Sequence, residues 1–401
     1  MTTLYQHAHV VTCDGPPDDP LGAIVDGALL VDGDRIAWVG RTADAMTAAR
    51  AIGAIHHVED LHGQLVTPGL IDCHTHAVFA GDRAAEFALR AAGASYLDLA
   101  AAGGGIAATL TPTRAASTDT LVALALARLE RAYAHGTTTI EVKTGYDLTL
   151  PGELRLLDVI AELAASTPMT VVATLLCHLI PPEQQLDRAA YVAALRDQLL
   201  PRAVGRAASV DVYCDEGAFT LDETRTILTA ARARGFAVRA HVGQFADLGG
   251  AELVASLGGL SIDHVEQISP AGIAAIAAAN TVAVMLPGAC VQLRLPVPPV
   301  AALRAAGVAL AIATDLNPGS SLTESLPLQL WLACTHFAMT VDEAWLGVTR
   351  HAARALGLSD RGRLAPDLRA DLCFWDADHP ADIPYHYGAQ RPTRVVLANQ
   401  L

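Results

Sequence analysis

Leu70-Ile71-Asp72-Cys73-His74-Thr75-His76 decides how the rest of this 401-residue sequence is read. It is a short apolar run that turns polar and carries two histidines two positions apart. Residues two apart on a strand face the same side, so His74 and His76 point together where the strand ends. Seven more runs of the same kind follow, at 138–143, 171–177, 210–214, 238–241, 261–264, 282–285 and 308–314. Between them lie Ala/Leu/Arg stretches with helical spacing, such as 118–134, 221–234 and 270–279. Eight strand–helix alternations predict an α/β fold, a (β/α)8 TIM-like barrel. A doubly wound open sheet is the alternative.

The two ends of the chain read differently. Leu29-Leu30-Val31, Asp32-Gly33-Asp34-Arg35 and Ile36-Ala37-Trp38-Val39-Gly40 form a hairpin signature, and the first 65 or so residues look like short strands. Near the other end, Asp371-Leu372-Cys373-Phe374-Trp375 and Arg394-Val395-Val396-Leu397 are strand-like, punctuated by Pro366, Pro380 and Pro384. The economical expectation is one small β-sandwich domain built from both termini, 1–65 plus 362–401, attached to a barrel at 66–361. Gly103-Gly104-Gly105, in the long stretch after the first barrel run, reads as a flexible loop able to cover a site.

Composition narrows the function. The net charge is −15, which disfavours binding to a phosphate backbone; no nucleic-acid partner is expected. No apolar run is long enough to span a bilayer and Met1 to Val10 lacks a signal core, so no membrane partner and a cytoplasmic location are expected. The seven cysteines are scattered without a C-x-x-C pair, as reduced thiols are. Lys143 is the only lysine; the other 26 basic residues are arginines. A position that keeps Lys against that background points to a need for a compact ammonium.

The chemistry lies at the ends of the predicted strands. His74 and His76 end the first, His241 the fifth and His264 the sixth, and Asp315 follows the eighth. These are the positions where barrel enzymes keep their active sites. Imidazoles with one carboxylate suit a single divalent ion, Zn2+ or Fe2+/Fe3+. Such an ion acidifies water, and a neighbouring carboxylate can take the proton and pass it to a leaving nitrogen. Asp315 is placed for that double role. His264 polarises a carbonyl or holds the water, or serves as a further nitrogen ligand.

Thr67-Pro68-Gly69-Leu70-Ile71-Asp72-Cys73-His74-Thr75-His76 resembles the opening motif of the amidohydrolase superfamily. Val78-Phe79-Ala80-Gly81-Asp82-Arg83, Glu141-Val142-Lys143-Thr144-Gly145-Tyr146, His178-Leu179-Ile180-Pro181-Pro182-Glu183 and Ala313-Thr314-Asp315-Leu316-Asn317-Pro318-Gly319-Ser320-Ser321 are more particular. With Gly93-Ala94-Ser95-Tyr96 and Tyr385-His386-Tyr387-Gly388 they resemble the imidazolonepropionase family over nearly the whole chain. The resemblance implies metal-dependent hydrolysis of the cyclic amide of 4-imidazolone-5-propanoate, giving N-formimidoyl-L-glutamate in histidine breakdown. It implies His74, His76, His241 and Asp315 as metal ligands, Arg83 as the holder of the propanoate carboxylate, and Tyr146, His178 and Gln244 around the ring or the attacking water. It implies Asn317, Gly319 and Ser320 beneath the charged arm, and a homodimer. The lack of a lysine at the end of the fourth run favours one metal over two. Val242-Gly243-Gln244, Cys290-Val291-Gln292 and Tyr146-Asp147 depart from the family pattern, which leaves open a related hydrolase acting on another carboxylate-bearing ring. A non-catalytic binding protein on the same barrel is the remaining alternative.

Overall fold

A computed structural model describes residues 2–53, 55–93 and 104–400. The eight predicted runs are eight parallel strands: β1 (Leu70–Asp72), β2 (Thr137–Lys143), β3 (Thr170–Cys177), β4 (Ser209–Cys214), β5 (Ala237–Val242), β6 (Ser261–His264), β7 (Val282–Met285) and β8 (Leu310–Ile312). They pair in sequence order, which excludes the doubly wound alternative, whose order reverses at a switch point. The ring closes beyond the strands. Thr75 bridges Leu316 in parallel, His76 N–H donates to Leu316 O (2.9 Å), and Asp315 N–H donates to His74 O (3.1 Å). The two segments expected to carry metal ligands are thus stitched to one another by backbone.

The helices form where the sequence caps them. Helix Thr118–Ala134 starts at Ser117, whose Oγ accepts from Thr120 N–H (3.1 Å). It buries Leu121, Val122, Ala125, Leu129 and Ala132, the 3–4 residue spacing of an amphipathic face. Helix Leu221–Ala233 opens with a capping box between Thr220 and Glu223. Most of the apolar side chains between strands and helices form one large core, and a second cluster packs Ile71, Val282, Val284 and Ala311 against Ala352 and Ala355.

The terminal domain holds a seven-stranded sheet drawn from both ends of the chain. Thr2–Val11, Ala23–Asp32 and Arg35–Arg41 run antiparallel. Thr2–Val11 also pairs in parallel with His57–Asp60 and then Leu65–Pro68, and Leu372–Trp375 joins Leu65–Pro68 to Arg394–Val396. Two findings differ from expectation. The sheet uses Leu65–Pro68, so it runs past residue 65, the expected boundary. The region read as strands only contains a helix, Thr42–Ile52. Its alanine content favours a helix, and Ala45 and Ala49, one turn apart, pack with Leu4, Ala28 and Leu30 on one face of the sheet. Of the Gly103-Gly104-Gly105 loop, Gly103 lies outside the described residues, as do 94–96 of the neighbouring motif.

Candidate metal centre and active site

His74 and His76 converge on Asp315. Their Nε2 atoms lie 3.3 and 3.4 Å from Asp315 Oδ1. The ring of His241 is 4.6 Å from that of His74 and 5.6 Å from that of His76, and the His264 ring is 5.5 Å from His241. One nitrogen each from His74, His241 and His264 fall within 4.8 Å of one another, and so do ligand atoms of His74, His76 and Asp315. All five side chains are buried. Two of them reach the centre through unusual backbone. Strand alternation aims Asp263, not His264, into the barrel. His264 (φ +82°) and Asp315 (φ +50°) adopt the left-handed conformation, rare for non-glycine residues and common at functional sites.

Two of the imidazoles are held from behind by carboxylates. Asp263 Oδ2 accepts from His74 Nδ1 (2.7 Å), and Asp211 Oδ1 from His241 Nδ1 (2.9 Å). With Nδ1 as donor, Nε2 keeps its lone pair for the centre. His74 Nε2 and His241 Nε2 are in fact buried without a hydrogen-bond partner. Buried orphan nitrogens with carboxylate-fixed tautomers fit a metal ion, which would satisfy both. Burial opposes the charge on Asp315, yet His74 and His76 outweigh it and hold its carboxyl well below the usual range.

The two supporting aspartates belong to an ion network inside the barrel. Lys143 Nζ donates to Glu141 Oε1 (2.8 Å) and Asp211 Oδ2 (2.7 Å), and lies 3.6 Å from Asp263. Arg239 donates to Glu141 Oε1 (2.7 Å), Cys73 O (2.8 Å) and Asp263 Oδ2 (3.2 Å). All five are fully buried. Burial works against Asp211, but His241, Lys143 and Arg239 keep its carboxyl well below the ordinary value. Glu141 also accepts from Thr75 N–H (3.1 Å), the residue between the paired histidines. Lys143 is therefore a structural cation, not a metal ligand.

Around the centre stand the expected substrate residues. The rings of Tyr146 and His178 lie 5.8 and 5.9 Å from His76. His178 Nδ1 is bonded to Gly145 O (3.0 Å), and burial, then His76, push its pKa down to about 3, so the ring is neutral. Gln244 Oε1 accepts from Tyr213 O–H (2.8 Å), which leaves the amide NH2 as the group to offer a ligand. Asp215 pins this loop by accepting from the N–H groups of Gln244, Phe245 and Ala246 (2.7, 3.0 and 2.9 Å). Asn317 donates to Asp315 O (2.7 Å) and Ser320 Oγ (2.9 Å), and accepts from Gly319 and Ser320 N–H. Arg83 donates from Nε (3.0 Å) and Nη2 (2.6 Å) to Glu86 Oε2. Its Nη1 lies against Gly319, where a Cβ would come within 2.4 Å; glycine there makes room for the guanidinium.

Sequence reasoning missed Glu141, Asp211, Arg239 and Asp263, and also Tyr213, Glu86 and Glu266. A signal existed for some. Glu141, Asp211 and Arg239 precede Lys143, Tyr213 and His241 by two, the parity that points inward.

An all-parallel eight-stranded barrel with this His/Asp centre at the strands' C-terminal ends defines a hydrolase of the amidohydrolase class. The match to known proteins agrees. The amidohydrolase family model covers residues 80–399. The chain is 47% identical over 389 residues to the imidazolonepropionase of Paracoccus denitrificans, covering 96% of each. It is 46% identical over 399 residues to that of Cupriavidus taiwanensis, covering 98% of this chain and 94% of the relative. Among solved structures it resembles N-isopropylammelide isopropylaminohydrolase from Burkholderia multivorans (TM-score 0.70, 21% identity, 100% of this chain and 97% of that one). It also resembles a triazine hydrolase from Arthobacter aurescens (TM-score 0.72, 17% identity, 100% and 94%). These last two likenesses establish the fold. The chain belongs to the imidazolonepropionase family.

Proposed function

We propose that this protein hydrolyses the cyclic amide C–N bond of 4-imidazolone-5-propanoate to N-formimidoyl-L-glutamate, with one metal ion, Zn2+ or Fe2+/Fe3+, held by His74, His76, His241 and Asp315. The observation that carries the reading is the convergence of these four side chains, two of them with buried orphan Nε2 atoms, in a chain 47% identical to imidazolonepropionases. The bound ion supplies Lewis acidity for water and for the ring carbonyl.

The protein's own groups do the rest. Asp315, ionised and buried, accepts a proton from the attacking water and returns it to the departing ring nitrogen. The oxygen of that water ends in the new carboxylate as the ring C–N bond breaks. His264 faces the carbonyl oxygen as it gains charge. The Arg83 guanidinium pairs with the propanoate carboxylate. Neutral His178, with Tyr146, packs against the ring, and the Gln244 NH2 donates to it. Asn317, Gly319 and Ser320 shape the floor beneath the charged arm. The same reading places the protein in the cytoplasm, as a homodimer, with no nucleic-acid or membrane partner. Among the described residues no helix is long and apolar enough to cross a membrane.

The test is direct. Enzymatically made imidazolonepropanoate is supplied to metal-replete protein and the loss of its ultraviolet absorbance followed. Acceleration over buffer supports the reading, and none at micromolar protein sinks it.

A further inference from the structure

Two buried orphans face each other beside the centre. Glu266 is 5% exposed, and neither of its carboxylate oxygens has a hydrogen-bond partner. A carboxylate left unpaired in the interior is costly and calls for a function or a ligand. His264 Nδ1 is likewise buried and unpartnered, and it lies 3.7 Å from Glu266 Oε1. The Cys290 thiol donates elsewhere, to Leu295 O and Pro296 O (3.4 Å each). The backbone is built to make this meeting. His264 and Val265 are consecutive non-glycine residues with φ of +82° and +67°. The turn is clamped by Val265 N–H on Val242 O (3.1 Å) and Gln267 N–H on Gly243 O (2.7 Å). Gly243 itself has φ +69°, a conformation glycine adopts without the steric cost of a side chain.

We propose that Glu266 is a positioning residue for the hydrolysis, accepting the Nδ1–H of His264 so that Nε2–H faces the oxygen that gains charge when water adds to the ring carbonyl. A carboxylate behind an imidazole fixes both its tautomer and its orientation. The 3.7 Å separation suits a free enzyme, in which such bonds are long and tighten once the site fills. Asp263 and Asp211 do this for His74 and His241 toward the metal; Glu266 does it for the histidine left to face substrate. The proposal rests on the hydrolysis proposed above.

The experiment compares metal-loaded protein with Glu266→Gln, Glu266→Asp, His264→Asn and the double variant His264→Asn/Glu266→Gln. Glu266→Gln lowers kcat on the order of 100-fold and leaves KM and metal content within about twofold. Glu266→Asp, which keeps the charge, recovers about tenfold of that loss. In the His264→Asn background Glu266→Gln changes kcat by less than about twofold, because its effect passes through the imidazole. Parental kcat in Glu266→Gln, or an undiminished loss in the His264→Asn background, overturns the proposal. A second readout needs no turnover: ring-15N histidine spectra, with His264 identified by its disappearance in His264→Asn. The Nδ1-protonated signature of that ring shifts in Glu266→Gln, or in Glu266→Asp should the first variant not fold. An unchanged signature overturns the proposal. If the parental protein leaves imidazolonepropanoate untouched, the hydrolysis reading falls and this spectrum still judges Glu266.

Discussion

Replacing Lys143 by Met tests whether the ion network is what holds the centre in place. Lys143 is fully buried, with Nζ 2.8 Å from Glu141, 2.7 Å from Asp211 and 3.6 Å from Asp263. Methionine has similar length and no charge. Its introduction leaves three buried carboxylates against Arg239 alone. Breaking a buried ion pair by removing one partner costs about 3–5 kcal/mol, a large share of a total near 5–15 kcal/mol. The unfolding entropy of 401 residues is roughly 0.8 kcal/mol/K, so Tm falls by about 4–6 °C, read by scanning calorimetry on metal-free protein. Two companions identify the cause. Lys143→Arg also destabilises, because a second guanidinium must fit beside Arg239 where a compact ammonium stood. Lys143→Met/Glu141→Gln, which removes one charge of each sign, regains more than half of the loss. A Tm within about 1 °C of the parent in Lys143→Met, or no recovery in the double variant, refutes the reasoning. Native protein treated with an amine reagent should also yield an unlabelled Lys143 peptide, and a labelled one after denaturation.

Asp263→Asn removes the anion behind His74 (2.7 Å) and weakens metal retention about 10–100-fold, measured by competition with a chelator; unchanged affinity counts against carboxylate support of the ligand. Gly319→Ala places a Cβ 2.4 Å from Arg83 Nη1 and raises KM about tenfold or more through a displaced charge-assisted hydrogen bond, while an unchanged KM removes Arg83 from the substrate. His351, bonded through Nδ1 to Leu310 O (3.0 Å), has its pKa lowered by burial to about 4. Between that value and the unfolded value of about 6.5 the unfolded chain binds more protons. Stability is therefore lost as pH falls through this window, and His351→Gln reduces the loss between pH 7 and 5 by about 2 kcal/mol, read from denaturant midpoints; an identical pH slope in both proteins rejects it.

The fold was legible because its signals are local. Eight β-branched runs separated by capped amphipathic helices need no knowledge of what lies across the barrel. The run 261–264 coincides with β6 and the run 118–134 with its helix. The helix Thr42–Ile52 was obscured because its neighbours on both sides are strands, and alanine alone is a weak counter-signal. The convergence of the candidate ligands was legible for a related reason. Histidine at the end of an apolar strand is conspicuous, and His74, His76 and His241 needed only strand parity to be aimed.

What stayed hidden is what acts across the barrel. Glu141, Asp211, Arg239 and Asp263 sit in the middle of strands, on β2, β4, β5 and β6, and their partners lie up to 189 positions away. In sequence each looks like a polar residue on a solvated strand face. Only closure of the ring turns those faces inward and makes the charges neutralise one another. His264 adds a subtler case. It was placed because it ends the sixth run, yet strand parity aims Asp263 inward and leaves His264 facing out; the left-handed backbone at 264 and 265 brings it back. Nothing in Ile262-Asp263-His264-Val265 announces that turn, since none of the four is glycine. Surrounding structure must impose it, through the bonds of Val265 to Val242 and Gln267 to Gly243, and strain held in this way marks function. Short-range pattern thus locates this centre, while the protonation and aim of its imidazoles are set by carboxylates that pattern alone does not connect to them.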